Sequence, residues 1–482
     1  DLALKNLVNQ NKKPNFALYT NSLHTFFNKT ENTHKKVHHH MQRIFKRKIY
    51  ERLLKWKSKN GKTAILIEGA RRIGKTTLVE QFASNEYESH LIIDFNKASK
   101  QVKDLFNDIM DLDFLFLNLQ NLYKVELKVR KSVIVFDEVQ LCPMARRAIK
   151  HLVADGRYDY IETGSLISIK RNVGDIIIPS EEEKVAMHPM DFEEFCWALG
   201  DSVTTKLLRT YYEKKIPLEA IHRAKMRDLR LYMLVGGMPQ AVNEYLDTNN
   251  LGMVDEVKRN IISLYIDDFY KIDPSGRMSR LYISIPAQLS QGKLSYKTSS
   301  ILGNVGEERK LQFINELEDS KTVLLSHHCN EPNVGMSLSI SLSKFKIYCS
   351  DTGLFVTLAF WDKDYTENII YNKLLSDKLS ANMGYVYENL VAQMLVASGN
   401  KLYYHTWQKD ATHSYEIDFL LSRGFKLQPV EVKSSGYSTH ASLDAFCKKY
   451  AHLVDKSYLI YTKDFKKDRD TILLPAYMTP FL

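Results

Sequence analysis

Apolar residues occur along the first third of the chain in short blocks that alternate with longer helical patterns. Four blocks have the length and composition of strands buried on both faces: 64–68, 90–95, 132–136 and 158–161. After the first block, Leu78, Val79 and Phe82 recur at helical spacing and share one face. Strands that alternate with helices predict a parallel sheet with helices on both faces. Ligands of such sheets bind at the carboxyl ends of the strands.

A glycine-rich loop connects the first predicted strand to this helix. Gly69-x-x-x-x-Gly74-Lys75-Thr76 has the spacing of a loop whose backbone N–H groups surround phosphate. Lys75 is expected to reach the β- and γ-phosphates of ATP, and the Thr76 hydroxyl to bind Mg²⁺. A turn without a ligand is the alternative, which the complete motif disfavours. The predicted ATP-binding residues are Gly69, Ala70, Arg71, Arg72, Ile73, Gly74, Lys75, Thr76 and Thr77.

The third predicted strand ends in two acidic residues. Asp137 is expected to hold Mg²⁺, and Glu138 is expected to polarise the attacking water. An isolated acidic pair often only caps a strand, but this pair follows a phosphate loop. The presence of both carboxylates favours ATP hydrolysis over ATP binding alone, with Lys75 and Glu138 as catalytic residues.

Composition is that of a soluble globular protein of two to four domains. The chain has 482 residues, of which 44% are apolar and 26% charged. It contains no run of about 20 apolar residues and no secretory pattern, so no membrane partner is expected. Five dispersed cysteines without a C-x-x-C pair indicate reduced thiols in the cytoplasm and argue against a disulfide scaffold or a zinc site.

The net charge of +10 is concentrated at the N-terminus. Residues 1–60 contain 14 Lys/Arg and 3 Asp/Glu, and the remainder is nearly neutral, so the basic balance is no evidence that the folded domains bind nucleic acid. We expect residues 1–40 to be a disordered or non-native extension that precedes a start at Met41; a nucleic-acid-binding arm is the alternative. A basic amphipathic helix is predicted to follow, with inward-facing Ile44, Phe45, Ile49, Leu53, Leu54 and Trp56.

Several segments together resemble the prokaryotic AAA-type ATPases that carry a C-terminal domain of unknown function. The resemblance covers roughly residues 41–482 and is carried by EGARRIGKTTL, VFDEVQ, TGSLISI, HPMDFEEF, MLVGGMPQAV, KFKIYCSDTGLF, GYVYENLVAQ, YEIDFLL and PVEVKSS. In AAA-type ATPases a polar residue after the fourth strand senses the γ-phosphate, so the resemblance makes Thr163 and Ser165 candidates for this role. It also implies an arginine finger, for which Arg146, Arg147 and Arg171 are candidates that the sequence does not separate.

The resemblance and the patterns together predict an α/β fold of several domains. Residues 41–180 form the P-loop core, 181–275 a helical lid with a turn at Gly236-Gly237-Met238-Pro239, and 276–343 a winged-helix-like module. The last segment, 344–482, forms an α/β domain. Acidic residues between 307 and 319 make DNA reading by the module unfavoured, and packing against protein is an equal alternative.

The C-terminal segment resembles the core of restriction-endonuclease-like (PD-(D/E)xK) nucleases. A helix with Glu388 is followed by strands with Asp418 and with Glu431-Val432-Lys433. Residues two apart on a strand point to the same face, so Glu431 and Lys433 lie together. The resemblance implies that Glu388, Asp418 and Glu431 bind a second Mg²⁺ or Mn²⁺, with Asp418, Glu431 and Lys433 catalytic. Ordinary exposed strand residues are the alternative.

Two functions are consistent with these patterns. In the first, ATP hydrolysis controls a metal-dependent nuclease-like domain that acts on DNA or another nucleic acid. In the second, the protein is an ATP-dependent switch or scaffold whose C-terminal domain is catalytically inactive and binds a partner. A homo-oligomer is a further candidate assembly, although no residue requires one.

Overall fold

Five parallel strands form the sheet that carries the first predicted motifs. The computed structural model describes residues 43–164, 181–362, 371, 375, 376, 384–434 and 440–482; the predictions for Ser165, Arg171 and residues 1–40 lie outside these ranges. The strands are β1 (Ala64–Glu68), β2 (Ser89–Asp94), β3 (Ser132–Asp137), β4 (Asp159–Gly164) and β5 (Glu182–Ala186). Their order is β2-β3-β4-β1-β5 and every neighbouring pair is parallel, which confirms the predicted parallel sheet. The apolar pattern does not indicate β5 because this edge strand reads EEKVA and is only partly buried.

Helices cover both faces of this sheet. They are α1 (Ile49–Lys57), α2 (Lys75–Glu86), α3 (Lys100–Asp104), α4 (Leu112–Tyr123) and α5 (Pro143–Asp155). Alternate residues of β1 belong to different apolar clusters: Ile65 and Ile67 pack into one, and Ala64 and Leu66 into the other. Because strand side chains alternate between faces, each face of the sheet has its own core.

The predicted N-terminal helix is shorter than expected. It begins at Ile49, and its Leu53 and Trp56 are buried as predicted. The prediction was wrong for Ile44 and Leu54, which are 59% and 40% exposed. Ile44 precedes the helix, and Leu54 lies next to Leu53 on the helix, where neighbouring side chains point in different directions.

Five further helices follow the sheet in the region predicted as the lid. They are α6 (Phe192–Ala198), α7 (Thr204–Lys214), α8 (His222–Val235), α9 (Pro239–Thr248) and α10 (Leu251–Ile272). The turn at 236–239 separates α8 from α9, with Pro239 at the first position of α9, where its missing N–H costs nothing. At 22 residues, α10 is about 33 Å long.

Short helices and a hairpin occupy the region predicted as a winged-helix-like module. They are α11 (Arg277–Ile283), α12 (Ile285–Ser290), α13 (Ser299–Leu302), α14 (Glu307–Asp319), β6 (Val323–Cys329) and β7 (Ile340–Cys349). α11 ends at Ile283 and α12 begins at Ile285, with Pro286 in its first turn, where proline is tolerated. Strand β7 crosses position 343, where the sequence pattern suggested a domain boundary.

The C-terminal region contains two mixed sheets. Its elements are α15 (Thr352–Ala359), α16 (Gly384–Ala397), β8 (Leu402–Gln408), β9 (Ser414–Ile417), β10 (Phe419–Arg423), β11 (Lys426–Val432), α17 (Ala441–Lys449), β12 (Ser457–Tyr461), β13 (Lys466–Asp468) and β14 (Thr471–Pro475). One sheet is ordered β10-β11-β12-β14-β13 and the other β7-β6-β8-β9. The hairpin β6–β7 therefore shares a sheet with β8 of the C-terminal region. Asp418 lies at the break between β9 and β10, which were expected as one strand.

Five short 3-10 segments complete the regular structure of the described residues: Leu105–Asn107, Val139–Leu141, Glu219–Ile221, Met336–Leu338 and Ala476–Phe481. One apolar core joins the first sheet to the C-terminal region, since Ile67, Tyr232, Val391 and Leu474 belong to the same buried cluster. Within the described part of the chain, no helix combines the length and apolar character that crossing a membrane requires.

Candidate functional site

The lysine of the phosphate loop forms hydrogen bonds with the backbone of the loop itself. Gly74 has a φ of 91°, a left-handed conformation that glycine adopts without strain, and α2 begins at the next residue. The Lys75 ammonium donates to the carbonyl oxygens of Gly69 and Ala70, each at 2.9 Å. Burial lowers the pKa of Lys75, although Glu138 and Asp137 act in the opposite direction. Lys75 is thus held beside the loop, with only backbone oxygens as hydrogen-bond partners.

Three side chains predicted from separate motifs meet at the carboxyl ends of the strands. The Thr76 hydroxyl donates to the Asp137 carboxylate at 2.9 Å. The Thr163 hydroxyl donates to the other oxygen of the same carboxylate. β3 and β4 are parallel neighbours, and this register places the ends that carry Asp137 and Thr163 side by side. The structure therefore brings together the residues predicted to hold Mg²⁺ and one of the two predicted to sense the γ-phosphate.

Glu138 adopts a strained backbone conformation next to this cluster. Its φ is 53°, which is uncommon for a residue with a side chain and costs of order 1 kcal/mol. Its backbone N–H donates to the Thr163 hydroxyl at 3.3 Å, and the Gln140 amide donates to its carboxylate. Glu138 lines a cavity of about 370 Å³ together with Lys75, Gln140 and Tyr265. The carboxylate predicted to polarise water thus faces the space beside the phosphate loop.

Side chains from two distant segments fix the backbone of the phosphate loop. The buried Arg47 donates to the Ile73 carbonyl at 2.9 Å and to the Glu194 carboxylate at 3.1 Å. The Tyr265 hydroxyl of α10 donates to the Arg71 carbonyl at 2.8 Å, and Asp268 pairs with the Arg71 guanidinium. The sequence does not reveal these contacts, because Arg47 stands in a basic run and Tyr265 in an ordinary helical pattern. They tie the loop to the N-terminal segment and to α10.

One candidate arginine finger has a structural role. Arg146 is 1% exposed and forms ion pairs with Glu162 at 2.7 Å and with Glu182 of β5 at 2.6 Å. A guanidinium held between two buried carboxylates cannot reach a phosphate on a neighbouring molecule, so this expectation was wrong. Arg147 is exposed on the same helix, α5, and remains a candidate.

The Gly-Gly-Met-Pro turn joins the phosphate loop to the C-terminal region. A side chain at Gly237 would place its Cβ 2.0 Å from the Met190 carbonyl oxygen, so only glycine fits there. The Gly237 N–H donates to the Asp351 carboxylate at 2.6 Å, and Asp351 also caps α15. On the other side, Pro239 lies near Gly74, since a Cβ placed on Gly74 would be 3.5 Å from the Pro239 Cγ. We call residues 236–239 and 351–355 the joint.

Helix α10 reaches the same joint. The buried Lys258 ammonium donates to the carbonyl oxygens of Leu234 at 2.7 Å and Gly353 at 3.3 Å. Burial lowers its pKa to about 8, against the opposing charges of Asp255 and Asp351. The C-terminal half of α10 contacts the phosphate loop through Tyr265, so one helix touches both the nucleotide loop and the joint.

The four residues predicted as a nuclease-like site lie in one cluster with three that were not predicted. Lys346 is 5% exposed, and its ammonium pairs with Glu388 at 2.8 Å and Glu416 at 2.7 Å. The Tyr348 hydroxyl donates to the same oxygen of Glu388 at 2.6 Å. Burial tends to raise the pKa of Glu388, but Lys346 overrides it and the net shift is downward. Period-two spacing places Lys346 and Tyr348 on one face of β7, but it does not show what this face contacts.

The remaining carboxylates of this cluster also have protein partners. Asp418 accepts from the Val432 N–H at 2.8 Å, and Lys433 pairs with Glu431 at 2.7 Å. Burial, followed by the charge of Glu388, raises the pKa of Asp418 well above its usual range. One Glu431 oxygen is buried without a hydrogen-bond partner. Among the described residues, no three acidic, histidine or cysteine side chains are arranged to hold a metal ion.

Three family models match separate parts of the chain. Residues 61–196 match the model described as an AAA domain, and residues 226–365 and 383–478 match two domains of unknown function, DUF8612 and DUF4143. The chain therefore contains an AAA-type domain with a phosphate-binding loop, which confirms that part of the resemblance. The two other models carry no stated function, so the winged-helix and endonuclease resemblances stay predictions.

Comparison with solved structures adds distant similarities. A Walker-type ATPase of Pyrococcus abyssi is 18% identical with a TM-score of 0.38, covering 65% of this chain and 96% of that chain. The ADP form of the ORC2 protein of Aeropyrum pernix is 13% identical with a TM-score of 0.31, covering 68% and 93%. The RuvB Holliday junction branch migration motor of Thermotoga maritima is 13% identical with a TM-score of 0.27, covering 60% and 90%. The search of curated proteins gave no match.

Proposed function

We propose that this protein binds and hydrolyses ATP with Mg²⁺ at the phosphate loop. The observation that carries the proposal is the contact of Thr76 and Thr163 with Asp137 beside a cavity lined by Lys75 and Glu138. A hydroxyl and a carboxylate are hard oxygen ligands of the kind that Mg²⁺ prefers, so these residues fit the ion. Mg²⁺ held by Thr76 and Asp137 supplies charge neutralisation at the phosphates.

Each side chain then has a defined task. Lys75 leaves the Gly69 and Ala70 carbonyls and binds phosphate oxygens. The loop N–H groups, held in place by Arg47 and Tyr265, surround the phosphates. Glu138 orients and polarises the attacking water, and Thr163 fixes both Asp137 and the backbone of Glu138.

Steady-state ATP turnover of two variants tests this assignment. Lys75→Ala is expected to lose nucleotide binding, whereas Glu138→Gln is expected to keep binding and lose roughly 10²- to 10⁴-fold in kcat. Glu51→Gln, an exposed residue of α1, is the matched control and should retain full turnover. Wild-type turnover in both site variants would overturn the proposal.

We further propose that the nucleotide state controls the C-terminal region through α10 and the joint. Tyr265 and Lys258 lie on one helix, and they contact the phosphate loop and the joint respectively. The turn that carries Pro239 also lies near the loop, since a Cβ placed on Gly74 would be 3.5 Å from the Pro239 Cγ, and Gly237 in this turn donates to Asp351. A shift of the loop on ATP binding is therefore expected to reach α15 through α10 and through this turn.

Hydrogen exchange measures this coupling. ATP with Mg²⁺ added to Glu138→Gln is expected to change protection of 352–359 and 384–397. Tyr265→Phe in the same background removes one hydrogen bond to the loop and should reduce the change. Tyr270→Phe, at a half-exposed tyrosine of the same helix, is the control. Identical exchange with and without ATP would contradict the coupling.

Action of the C-terminal region on nucleic acid is the second candidate, supported by the convergence of Glu388, Asp418, Glu431 and Lys433. Cleavage of plasmid and single-stranded DNA with Mg²⁺ or Mn²⁺ tests it in wild type and Asp418→Ala. Cleavage that depends on Asp418 would support a nuclease. The geometry favours the ATP-dependent switch instead, because Lys346 and Lys433 already pair with Glu388, Glu416 and Glu431.

Oligomer formation is a separate proposal. Arg147 is exposed on α5 and is available to act on a neighbouring molecule. If it does, ATP turnover per chain rises with protein concentration, and Arg147→Ala removes the rise. Turnover per chain that is independent of concentration would exclude a finger supplied by a neighbour.

A further inference from the structure

We propose that Lys346 is a built-in cation that takes the place of a divalent metal in the C-terminal carboxylate cluster. The endonuclease resemblance implies a metal bound by Glu388, Asp418 and Glu431. The structure instead places an ammonium group between Glu388 and Glu416, at 2.8 and 2.7 Å. The residues present therefore do not fit an additional metal ion while Lys346 stays in place.

The burial of Lys346 shows that this ammonium belongs to the cluster. Its side chain is 6% exposed, so it is not a surface lysine that happens to lie near an acid. A charge so deeply buried is costly unless it is paired, and two carboxylates and the ring of Tyr404 surround this one. Lys346 cannot leave without exposing the carboxylates to each other.

Further contacts hold parts of the remaining cluster, although one Glu431 oxygen is buried without a hydrogen-bond partner. Tyr348 donates to the Glu388 oxygen that binds Lys346, Lys433 pairs with one Glu431 oxygen, and Asp418 accepts a backbone N–H. Two lysines thus balance the four acids Glu388, Glu416, Asp418 and Glu431 in part. A divalent ion would either displace Lys346 from Glu388 and Glu416 or meet its positive charge at close range.

The position of Lys346 in the chain links the cluster to the joint. Lys346 and Asp351 are five residues apart, and β7 leads directly into the turn that Asp351 forms with Gly237. The same helix that carries Glu388 carries Asn389 and Gln393, which bind the backbone of Cys349 and Thr352. The lysine is therefore attached to the element that the proposed nucleotide coupling would move, but its presence in the cluster does not depend on ATP turnover.

Calorimetric titration of nucleotide-free protein with Mn²⁺ tests the proposal. Wild type and Asp418→Asn should give the same Mn²⁺ titration, because Asp418 holds no Mn²⁺ in wild type. Lys346→Met should gain a site that binds Mn²⁺ about tenfold or more tightly than wild type, because the repelling ammonium is gone. The double variant Lys346→Met, Asp418→Asn should lose this site, which assigns it to the cluster.

Two further variants control for charge and position. Lys346→Arg keeps the positive charge and should bind no Mn²⁺ at the cluster, and Lys344→Met changes an exposed lysine of the same strand and should behave as wild type. If wild type binds Mn²⁺ at a site that Asp418→Asn abolishes, the proposal is overturned. This comparison does not need a Lys346 variant, so it holds even if Lys346→Met fails to fold. A folded Lys346→Met without the new site would overturn it as well. Neither result involves ATP, so failure here is distinct from failure of the ATPase assignment.

Discussion

Two buried cations of the described residues, Arg146 and Lys346, each lie between two glutamates, and they differ in the site that they affect. In the ATPase sheet, Arg146 pairs with Glu162 and Glu182, leaving Asp137 and Glu138 beside a cavity. In the C-terminal region, Lys346 pairs with Glu388, which the endonuclease resemblance implies as a metal ligand, and with Glu416. The buried Arg146 thus stabilises the sheet that carries the phosphate-loop site, whereas the buried Lys346 lies within the C-terminal carboxylate cluster itself. A buried cation paired with two glutamates can therefore leave a metal site open or occupy it, depending on which glutamates it pairs with.

The largest expected effect comes from removing the buried cation of the first sheet. Arg146→Met removes one guanidinium and leaves Glu162 and Glu182 buried without a partner, so we expect a loss of about 3–5 kcal/mol in the free energy of unfolding. Denaturant unfolding measures it. Arg147→Ala on the exposed side of α5 should change stability by less than about 0.5 kcal/mol. Equal stability of both variants would show that the Arg146 ion pairs are not structural.

The second prediction concerns the glycine of the joint. Gly237→Ala forces a methyl group to within 2.0 Å of the Met190 carbonyl oxygen, so the backbone must shift. We expect the free energy of unfolding to fall by about 1–3 kcal/mol, as for an overpacked core. The change in hydrogen exchange that ATP causes at α15 should also become smaller. Gly156→Ala, whose added methyl would meet no atom, is the comparison, although its left-handed φ of 74° also costs some stability. The φ of Gly237 does not lie in the left-handed region, so a loss no larger than that of Gly156→Ala would mean that the close contact with Met190 is not what makes glycine necessary there.

The third prediction compares Lys346 with Arg146 directly. Lys346→Met leaves Glu388 with the Tyr348 hydroxyl as a remaining donor, so the expected destabilisation is smaller, about 1–3 kcal/mol at neutral pH. Lys346→Arg should lose less because the charge remains. Denaturant unfolding of wild type, Lys346→Met and Lys346→Arg gives the order of their free energies of unfolding. A loss in Lys346→Met as large as that of Arg146→Met would mean that the Tyr348 hydroxyl does not stabilise the Glu388 carboxylate.

The sequence predicts the first sheet and its site far better than the second. Continuous apolar runs identify β1 to β4, and the motif spacing places Lys75, Thr76 and Asp137 at one edge, because the order of strands and loops is local information. Thr163, which lies near the C-terminal end of β4, became a candidate only through the resemblance to AAA-type ATPases. The structure places all four together.

The partners of the C-terminal carboxylates could not be predicted in this way. Lys346 precedes Glu388 by 42 residues, and they meet only because α16 packs against β7. Arg47 and Tyr265 reach the phosphate loop over 26 and 194 residues in the same manner. The local sequence pattern does not determine such long-range contacts. The apolar pattern also does not predict β5, because an edge strand need not be apolar.

The last expected effect is a pH dependence of stability that arises from a histidine of the C-terminal region. Burial lowers the pKa of His405 to about 4, while its Nδ1–H donates to the Cys329 carbonyl at 2.7 Å; His328 and Lys449 lower it further. Because the unfolded histidine titrates near 6.5, the unfolded chain binds more protons between pH 4 and 6.5. Stability should therefore fall as the pH drops through this range.

His405→Gln keeps a donor for the Cys329 carbonyl but does not titrate. The variant should lose less stability than wild type between pH 7 and pH 4.5 in denaturant unfolding. His90→Gln changes a partly exposed histidine of β2 and serves as the control. An unchanged pH profile in His405→Gln would mean that other groups cause the acid sensitivity.

Equilibrium binding of a fluorescent ATP analogue tests the central claim most directly. We predict that wild type retains the nucleotide when Mg²⁺ is present, that Asp137→Asn weakens the Mg²⁺ dependence, and that Lys75→Ala abolishes binding. Wild-type protein that retains no adenine nucleotide at saturating Mg²⁺, or Lys75→Ala that binds as tightly as wild type, would contradict the assignment of this loop as the ATP site.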